Sequence, residues 1–281
     1  MSHSKRGYIL LVVVLMVLFA ISQVKTANAG NNIWTSIGPD SIAINNLKTL
    51  VIDPVSPSTL YALTRGGVFR STDAGENWTN IDNNLFTQGL YTLPEVATLA
   101  IDPASHTTLY LMSSDGLFKS VNSGDTWTKW STSAGWFTSL VIDPLEPAIM
   151  YGAVAGEAGW LLKSTNGGKD WSKAIQGLTS GEIRTLAMNP LAPSTLYIGM
   201  YAGGVYKSTD GGSNWFRAPL DKADHTNFWD NKKILDVALD LAAPGTLYAA
   251  TEQDGLFKSV DGGASWTSLG LPLGQSSVSI F

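Results

Sequence analysis

One eight-residue phrase recurs five times along this chain: Ser71-Thr72-Asp73-Ala74-Gly75-Glu76-Asn77-Trp78, then SVNSGDTW from Ser120, STNGGKDW from Ser164, STDGGSNW from Ser208 and SVDGGASW from Ser259. The starting serines lie 49, 44, 44 and 51 residues apart. Recurrence at such a period marks a repeat architecture, in which each copy is one supersecondary unit that must stack on its neighbours to bury its apolar faces.

The text around each phrase recurs as well. An apolar segment ends in Asp-Pro or Asn-Pro (Ile52-Asp53-Pro54, Ile101-Asp102-Pro103, Ile142-Asp143-Pro144, Met188-Asn189-Pro190), and a second segment carries Tyr61, Tyr110, Tyr151, Tyr197 or Tyr248. A third follows a glycine and ends in Arg70, Lys119, Lys163, Lys207 or Lys258 before the box serine, and a fourth begins at the box tryptophan. Four short strands per repeat describe a propeller blade. The first segment reads as a strand packed on both faces near a central axis, and the proline after it cannot donate to a ladder and forces a turn.

Within the box, the acid or amide at the third position (Asp73, Asn122, Asn166, Asp210, Asp261) is expected to accept from backbone N–H groups two residues on. The serine (Ser71, Ser120, Ser164, Ser208, Ser259) adds a second local bond, and the glycine (Gly75, Gly124, Gly168, Gly212, Gly263) supplies a positive φ. The tryptophan (Trp78, Trp127, Trp171, Trp215, Trp266) covers the turn and packs toward the neighbouring blade. A calcium loop would need alternating oxygen ligands and a closing bidentate acid, which are missing, so these residues read as structural.

The pattern S-x-[DN]-x-G-x-x-W at blade spacing resembles the aspartate-box (BNR) repeat shared by sialidases, sortilin-type receptors, xyloglucan-hydrolysing enzymes and the photosystem II assembly factor. The resemblance runs from Trp34 to Trp266. It implies an all-β propeller, with five complete blades at about 47–81, 96–130, 137–174, 183–218 and 234–269 inside a domain spanning 30–281. Residues 33–38 match a stray fourth strand and 276–281 a stray first strand. Since unpaired edges invite association, the expectation is a partial reading of a propeller of six to eight blades curled into an open or strained ring; a closed five-bladed domain is the alternative.

Residues 1–29 read as an export signal: Lys5 and Arg6, an apolar run from Ile9 to Ile21, then Ala27-Asn28-Ala29 before a cleavage point. The run is 13 residues, short of the roughly 20 of a membrane span, although an uncleaved anchor is the alternative. A secreted or periplasmic product starting at Gly30 is expected, touching the membrane only through that segment. Without Lys5, Arg6 and Lys25 it would carry 15 basic against 23 acidic residues, a balance that argues against nucleic acid as a partner. Cysteine is absent and only His106 and His225 would remain, so no metal or other cofactor is expected.

Binding groups are expected on the face opposite the boxes, where loops are held by the rigid scaffold. Trp136, Trp160 and Trp229 fall outside the repeat register, and with Tyr201 and His225 they are the candidate ligand contacts, each weighed against folding onto the core or into a solvated connector. Glycoside hydrolysis would need two carboxyl groups facing each other at roughly 5 to 9.5 Å; Glu157 and Asp254 are the candidates, with no pair distinguished by spacing. The resemblance does not extend to the sialidase Arg-Ile-Pro motif or its arginine cluster. A second propeller, as in the xyloglucanases, also lies beyond this length. The reading is therefore an exported, non-catalytic binding module for a glycan or a protein or peptide ligand, with a glycoside hydrolase or a fragment of one as the alternative.

Overall fold

A computed structural model of the chain describes residues 47–64, 66–85, 98–132, 137–154, 160–178, 181–201, 203–218 and 232–270. All regular structure among them is strand, in five four-stranded antiparallel sheets. The first comprises β1 (Leu47–Ile52), β2 (Leu60–Thr64), β3 (Gly67–Ser71) and β4 (Thr79–Asn80). The second is β5 (Thr98–Asp102), β6 (Ser105–Ser113), β7 (Gly116–Ser120) and β8 (Thr128–Ser131). The third is β9 (Phe137–Ile142), β10 (Met150–Val154), β11 (Trp160–Ser164) and β12 (Ser172–Lys173). The fourth is β13 (Ile183–Met188), β14 (Leu196–Met200), β15 (Gly204–Ser208) and β16 (Phe216–Arg217), and the fifth β17 (Ile234–Leu239), β18 (Leu247–Thr251), β19 (Leu256–Ser259) and β20 (Thr267–Ser268). Strands pair in chain order within each sheet, the up-and-down wiring of a propeller blade.

The apolar runs follow from this stacking. β2, β10, β14 and β18 are buried along their whole length because the second strand of a blade is covered by neighbouring blades on both faces. Apolar clusters fill the junctions between consecutive blades: Phe118 and Trp127 pack with Tyr61 and Ile81, Phe137 with Tyr110, Trp215 with Tyr151, and Trp266 with Tyr197. First strands pack in the order β1, β5, β9, β13, β17, and among the described residues no comparable contact joins β17 to β1. Among the described residues the five blades thus make four packed junctions.

Each box is a stapled hairpin turn between third and fourth strands, with one difference from the expected wiring. The serine Oγ accepts from the box glycine N–H at 2.8–2.9 Å and donates to the acid or amide Oδ1 at 2.7–3.0 Å in all five copies. That Oδ1 accepts from the N–H four residues on, at Asn77, Thr126, Asp170, Asn214 and Ser265, where two residues were expected. The reach is longer because two consecutive residues are left-handed: Ala74 at φ 60° and Gly75 at 96°, with Ser123 and Gly124, Gly167 and Gly168, Gly211 and Gly212, and Gly262 and Gly263 repeating the pair. Two of these glycines have a further reason: a Cβ on Gly124 would overlap Ile81 of the preceding blade, and one on Gly168 would overlap Leu117. Trp127 and Trp215 donate their indole N–H to Ile81 and Ala174 carbonyls of the preceding blade, whereas Trp78, Trp171 and Trp266 donate to their own box glycine.

At the same end of the blades, the acid or amide closing each first strand accepts from the N–H two residues on, at Val55, Ala104, Leu145, Leu191 and Ala242. The fifth blade makes this turn at Asp240 with Leu241 in the proline's place, so the side-chain acceptor alone is sufficient to form it. The first strands depart from the expected two-sided burial: β9 and β17 mix buried with partly covered residues, and β1 has none buried, with Leu47 and Leu50 exposed. Residues of β1, β5, β9 and β13 line a hollow between the blades.

Hydrogen bonds from Asn77 and Ser71 hold the Asp73 carboxyl at about 2, those from Asn214 and Ser208 hold Asp210 at about 2, and those from Ser265 and Ser259 hold Asp261 at about 2. These folded-state values lie below the roughly 3.9 of an unfolded aspartate. The stabilisation is therefore complete above about pH 4 and is lost as pH falls toward 2. Boxes two and three already use Asn122 and Asn166 with the same bonds. Replacing Asp73, Asp210 and Asp261 together by asparagine should leave the fold intact and flatten the acid limb of a thermal-melting profile between pH 4 and 2, whereas alanine at the three sites should lower the melting temperature at all pH values.

Candidate functional site

Opposite the boxes, at the junction of the fourth and fifth blades, a charged cluster surrounds one aromatic ring. Tyr201 and Glu182 lie one residue beyond β14 and before β13, and the Tyr201 N–H donates to the Glu182 carbonyl at 2.8 Å. Lys233 and Glu252 stand in the same relation to β17 and β18, with the Glu252 N–H donating to the Lys233 carbonyl at 3.0 Å. All four are set by the ends of rigid ladders. Below them, Thr185 Oγ1 donates to Asp236 Oδ1 at 2.7 Å and ties the two first strands together.

Arg184 and Lys233 lie over the Tyr201 ring at 4.6 and 4.7 Å from its centre. The described carboxylates of the cluster each meet a cation: Glu182 with Arg184 at 3.1 Å, Glu252 with Lys233 at 2.7 Å and Asp254 with Lys232 at 2.7 Å. Hydrogen bonds from Lys233 to Glu252 first and to Tyr201 second hold its ammonium above the ordinary lysine range. The result is a charge-balanced, partly exposed patch with an aromatic centre, rich in groups that can pair with a polar chain.

Of the residues singled out by sequence, Tyr201 and Asp254 come together here. Asp254 is engaged to a lysine and faces no second unpaired carboxylate among the described residues. Trp160 opens β11 on the same end of the molecule, 37% exposed, and Lys173 sits 3.6 Å from its ring centre. Both aromatics therefore present cation-covered rings, not bare stacking platforms. Trp136, Glu157, His225 and Trp229 lie outside the described residues, as do 1–29, 33–38 and 276–281. Trp130, also outside the repeat register, is a junction residue: its indole N–H donates to the Gly167 carbonyl at 2.7 Å, and Lys119 and Lys169 flank its ring at 4.6 and 5.2 Å.

A second feature escaped the sequence reading. On the box side, the ends of β1, β5, β9 and β13 and the turn after β17 surround an apolar hollow of about 480 Å³, lined by residues such as Val51, Leu99, Leu140, Met188, Pro190 and Leu241. Around its rim Val55, Leu145 and Leu191 are exposed. The signal was the apolar residue after the proline in three of the turns, which the emphasis on the opposite face passed over. No group of three or more His, Cys, Asp or Glu among the described residues could hold a metal ion.

No protein-family model matches the sequence, and no curated protein matches it. Solved structures do. The GH74 xyloglucanase from Xanthomonas campestris superposes with a TM-score of 0.64 at 22% identity, over 82% of this chain and 39% of that one. YCF48 bound to D1 peptide gives 0.56 at 16% identity, over 76% of this chain and 65% of that one. The extracellular domain of BT4673 from B. thetaiotaomicron gives 0.58 at 14% identity, over 79% and 28%. The chain spans less than two thirds of each of these neighbours, and at such identities the likeness establishes the β-propeller fold.

If Glu252 is what holds the Lys233 ammonium, Glu252→Gln should bring that lysine down toward the ordinary range, read from the pH titration of its Cε resonance by NMR, with the β17–β18 amide shifts unchanged beyond the immediate neighbours.

Proposed function

We propose that this chain is an exported aspartate-box propeller, its domain running over residues 30–281, that acts as a non-catalytic binding module for a peptide or a glycan. The observation that carries this reading is the cluster around Tyr201, where hydrogen-bonding charges of both signs surround an aromatic residue on the end of the propeller away from its boxes. A chain with alternating amides and side chains, or a sugar with its ring of hydroxyls, offers donors and acceptors that such a patch can match. Catalysis is not supported by the same groups. A glycoside hydrolase needs a carboxyl poised to give up a proton and a partner carboxylate across the bond, whereas Glu182, Glu252 and Asp254 are each engaged by a cation.

YCF48 bound to a D1 peptide and the GH74 xyloglucanase each carry this fold, which makes a peptide and a glycan the two ligand classes to test. The full chain should be screened on peptide and glycan arrays. Tyr201→Ala and Arg184→Ala should each weaken binding to the ligand found by about tenfold, ~1.4 kcal/mol, while circular dichroism stays unchanged. Binding indifferent to both substitutions would remove the site from the proposal, and a bound glycan cleaved by the wild type but not by Asp254→Asn would replace the binding module with a hydrolase. No helix among the described residues is long and apolar enough to cross a membrane. Export is tested separately: the protein recovered from cells should have a mass corresponding to a start at Gly30, and retention of residues 1–29 in a membrane fraction would favour an anchor.

A further inference from the structure

The end of the molecule that carries the boxes has a surface of its own, away from the Tyr201 cluster. Its centre is the apolar hollow of about 480 Å³, a size within the range of roughly 300–1,000 Å³ usual for ligand pockets. Pro54, Pro103, Pro144, Pro190 and Leu241 help to line it, and in three of these turns the next residue stands in water: Val55, Leu145 and Leu191 are 68%, 71% and 74% exposed. Aliphatic side chains exposed around an apolar hollow mark a contact surface. This exposure does not arise where the described residues stop. All five first-strand turns and all five boxes are described, and Leu47 and Gly270, the first and last described residues, stand at the start of β1 and past the end of β20, away from these turns.

The charge around the hollow is predominantly negative. In every blade a backbone bond joins the box to the first-strand turn, as the Ala74 N–H donates to the Ser58 carbonyl at 2.8 Å and Gly211 to Ser194 at 2.9 Å, so a box stands beside each turn. Each box carries a carboxylate, at Asp73, Asp125, Asp170, Asp210 and Asp261, and Glu146 is exposed next to Leu145. Lys169 is the single lysine or arginine in these ten turns. The half-buried basic residue before each box is committed elsewhere: Arg70 to Asp125 and the Ser123 carbonyl, Lys163 and Lys207 to carbonyls of the next box, Lys119 and Lys258 over tyrosine rings. The hydrogen bonds that hold Asp73, Asp210 and Asp261 at about 2 keep these three ionised at any ordinary pH.

We propose that this end is a second docking surface, for a protein segment that seats aliphatic side chains in the hollow and sets lysine or arginine side chains among the box carboxylates. An apolar centre inside a polar rim is the general anatomy of an interface, and the sign of the rim selects the occupant. A fatty acid or an anionic lipid would bring its own negative charge to the carboxylates, and a second copy of this face would set carboxylate against carboxylate, whereas a basic segment meets opposite charge around the hollow. The surface does not depend on the binding assigned to Tyr201.

The test uses the full chain and a fluorescein-labelled probe peptide, Gly-Lys-Lys-Leu-Leu-Lys-Lys-Gly, followed by fluorescence anisotropy. Saturable binding is expected, weakening as salt screens the charges. The same peptide with glutamate in place of lysine, or serine in place of leucine, should bind at least about tenfold more weakly. On the protein, Leu191→Ser at its exposed position should weaken binding about tenfold, and so should the triple asparagine variant of Asp73, Asp210 and Asp261, which also flattens the salt dependence. Tyr201→Ala should leave binding unchanged, which separates this surface from the cluster at the other end. The proposal is overturned if the lysine-leucine peptide does not bind, if the glutamate peptide binds equally well, or if binding ignores Leu191→Ser and follows Tyr201→Ala instead. Self-association of the wild type that Leu191→Ser abolishes would also overturn it, by making a second copy the occupant.

Discussion

Among the contacts that hold each blade to the next, one recurs at all four described junctions: an outward-facing carbonyl at Ser123, Gly167, Gly211 or Gly262, exposed by two successive left-handed residues of the box. The serine and the acid or amide make that conformation affordable by satisfying the N–H groups it frees, Gly75 through Ser71 and Asn77 through Asp73 in the first copy. Once turned out, the carbonyl accepts from a tyrosine, lysine, arginine or tryptophan of the preceding blade. Burial pushes the hydroxyls of Tyr151 and Tyr197 up to about 12, so they remain neutral donors throughout the ordinary pH range. A local turn and a long-range junction are thus the same set of atoms, which is why the phrase varies so little from copy to copy.

Most of the fold was legible in the sequence for that reason. The box glycine takes up the left-handed backbone, and at Gly124 and Gly168 a side chain would also strike the preceding blade; Arg70, Tyr151, Lys163, Tyr197 and Lys207 feed the next box. What escaped the reading depended on which blade touches which. Trp130 looked like a spare aromatic but substitutes for the lysine-to-carbonyl bond at the second junction. The first strands looked like doubly buried strands, and their apolar runs could not reveal that one face lines an open hollow. Composition reports that a residue is apolar, not whether the space beside it is filled.

The Tyr201 cluster was only half legible. Tyr201 and Asp254 stood out by position, but their partners Arg184, Lys232, Lys233, Glu182 and Glu252 are common surface residues whose value comes from where the ladders end. Those partners also change the chemistry. A tyrosine alone suggests stacking, whereas a tyrosine with Arg184 and Lys233 over its ring suggests a polar surface. The same holds for Trp160 beneath Lys173.

Scaffold and site are divided along the molecule by strand direction. Both the box turns and the Asp-Pro turns lie at one end, where the box serine and acid or amide and the acid or amide closing each first strand are committed to local bonds. At the other end, residues such as Tyr201 and Glu182 sit one step past the last ladder pair, joined by a backbone bond and by the ion pairs and ring contacts of the cluster. At the Tyr201 cluster the two roles meet, since Lys233 of the fifth blade lies over the Tyr201 ring of the fourth. The fold therefore sets where such a cluster can sit far more tightly than its chemistry, and the proposed binding rests on the particular charges around Tyr201, not on the propeller.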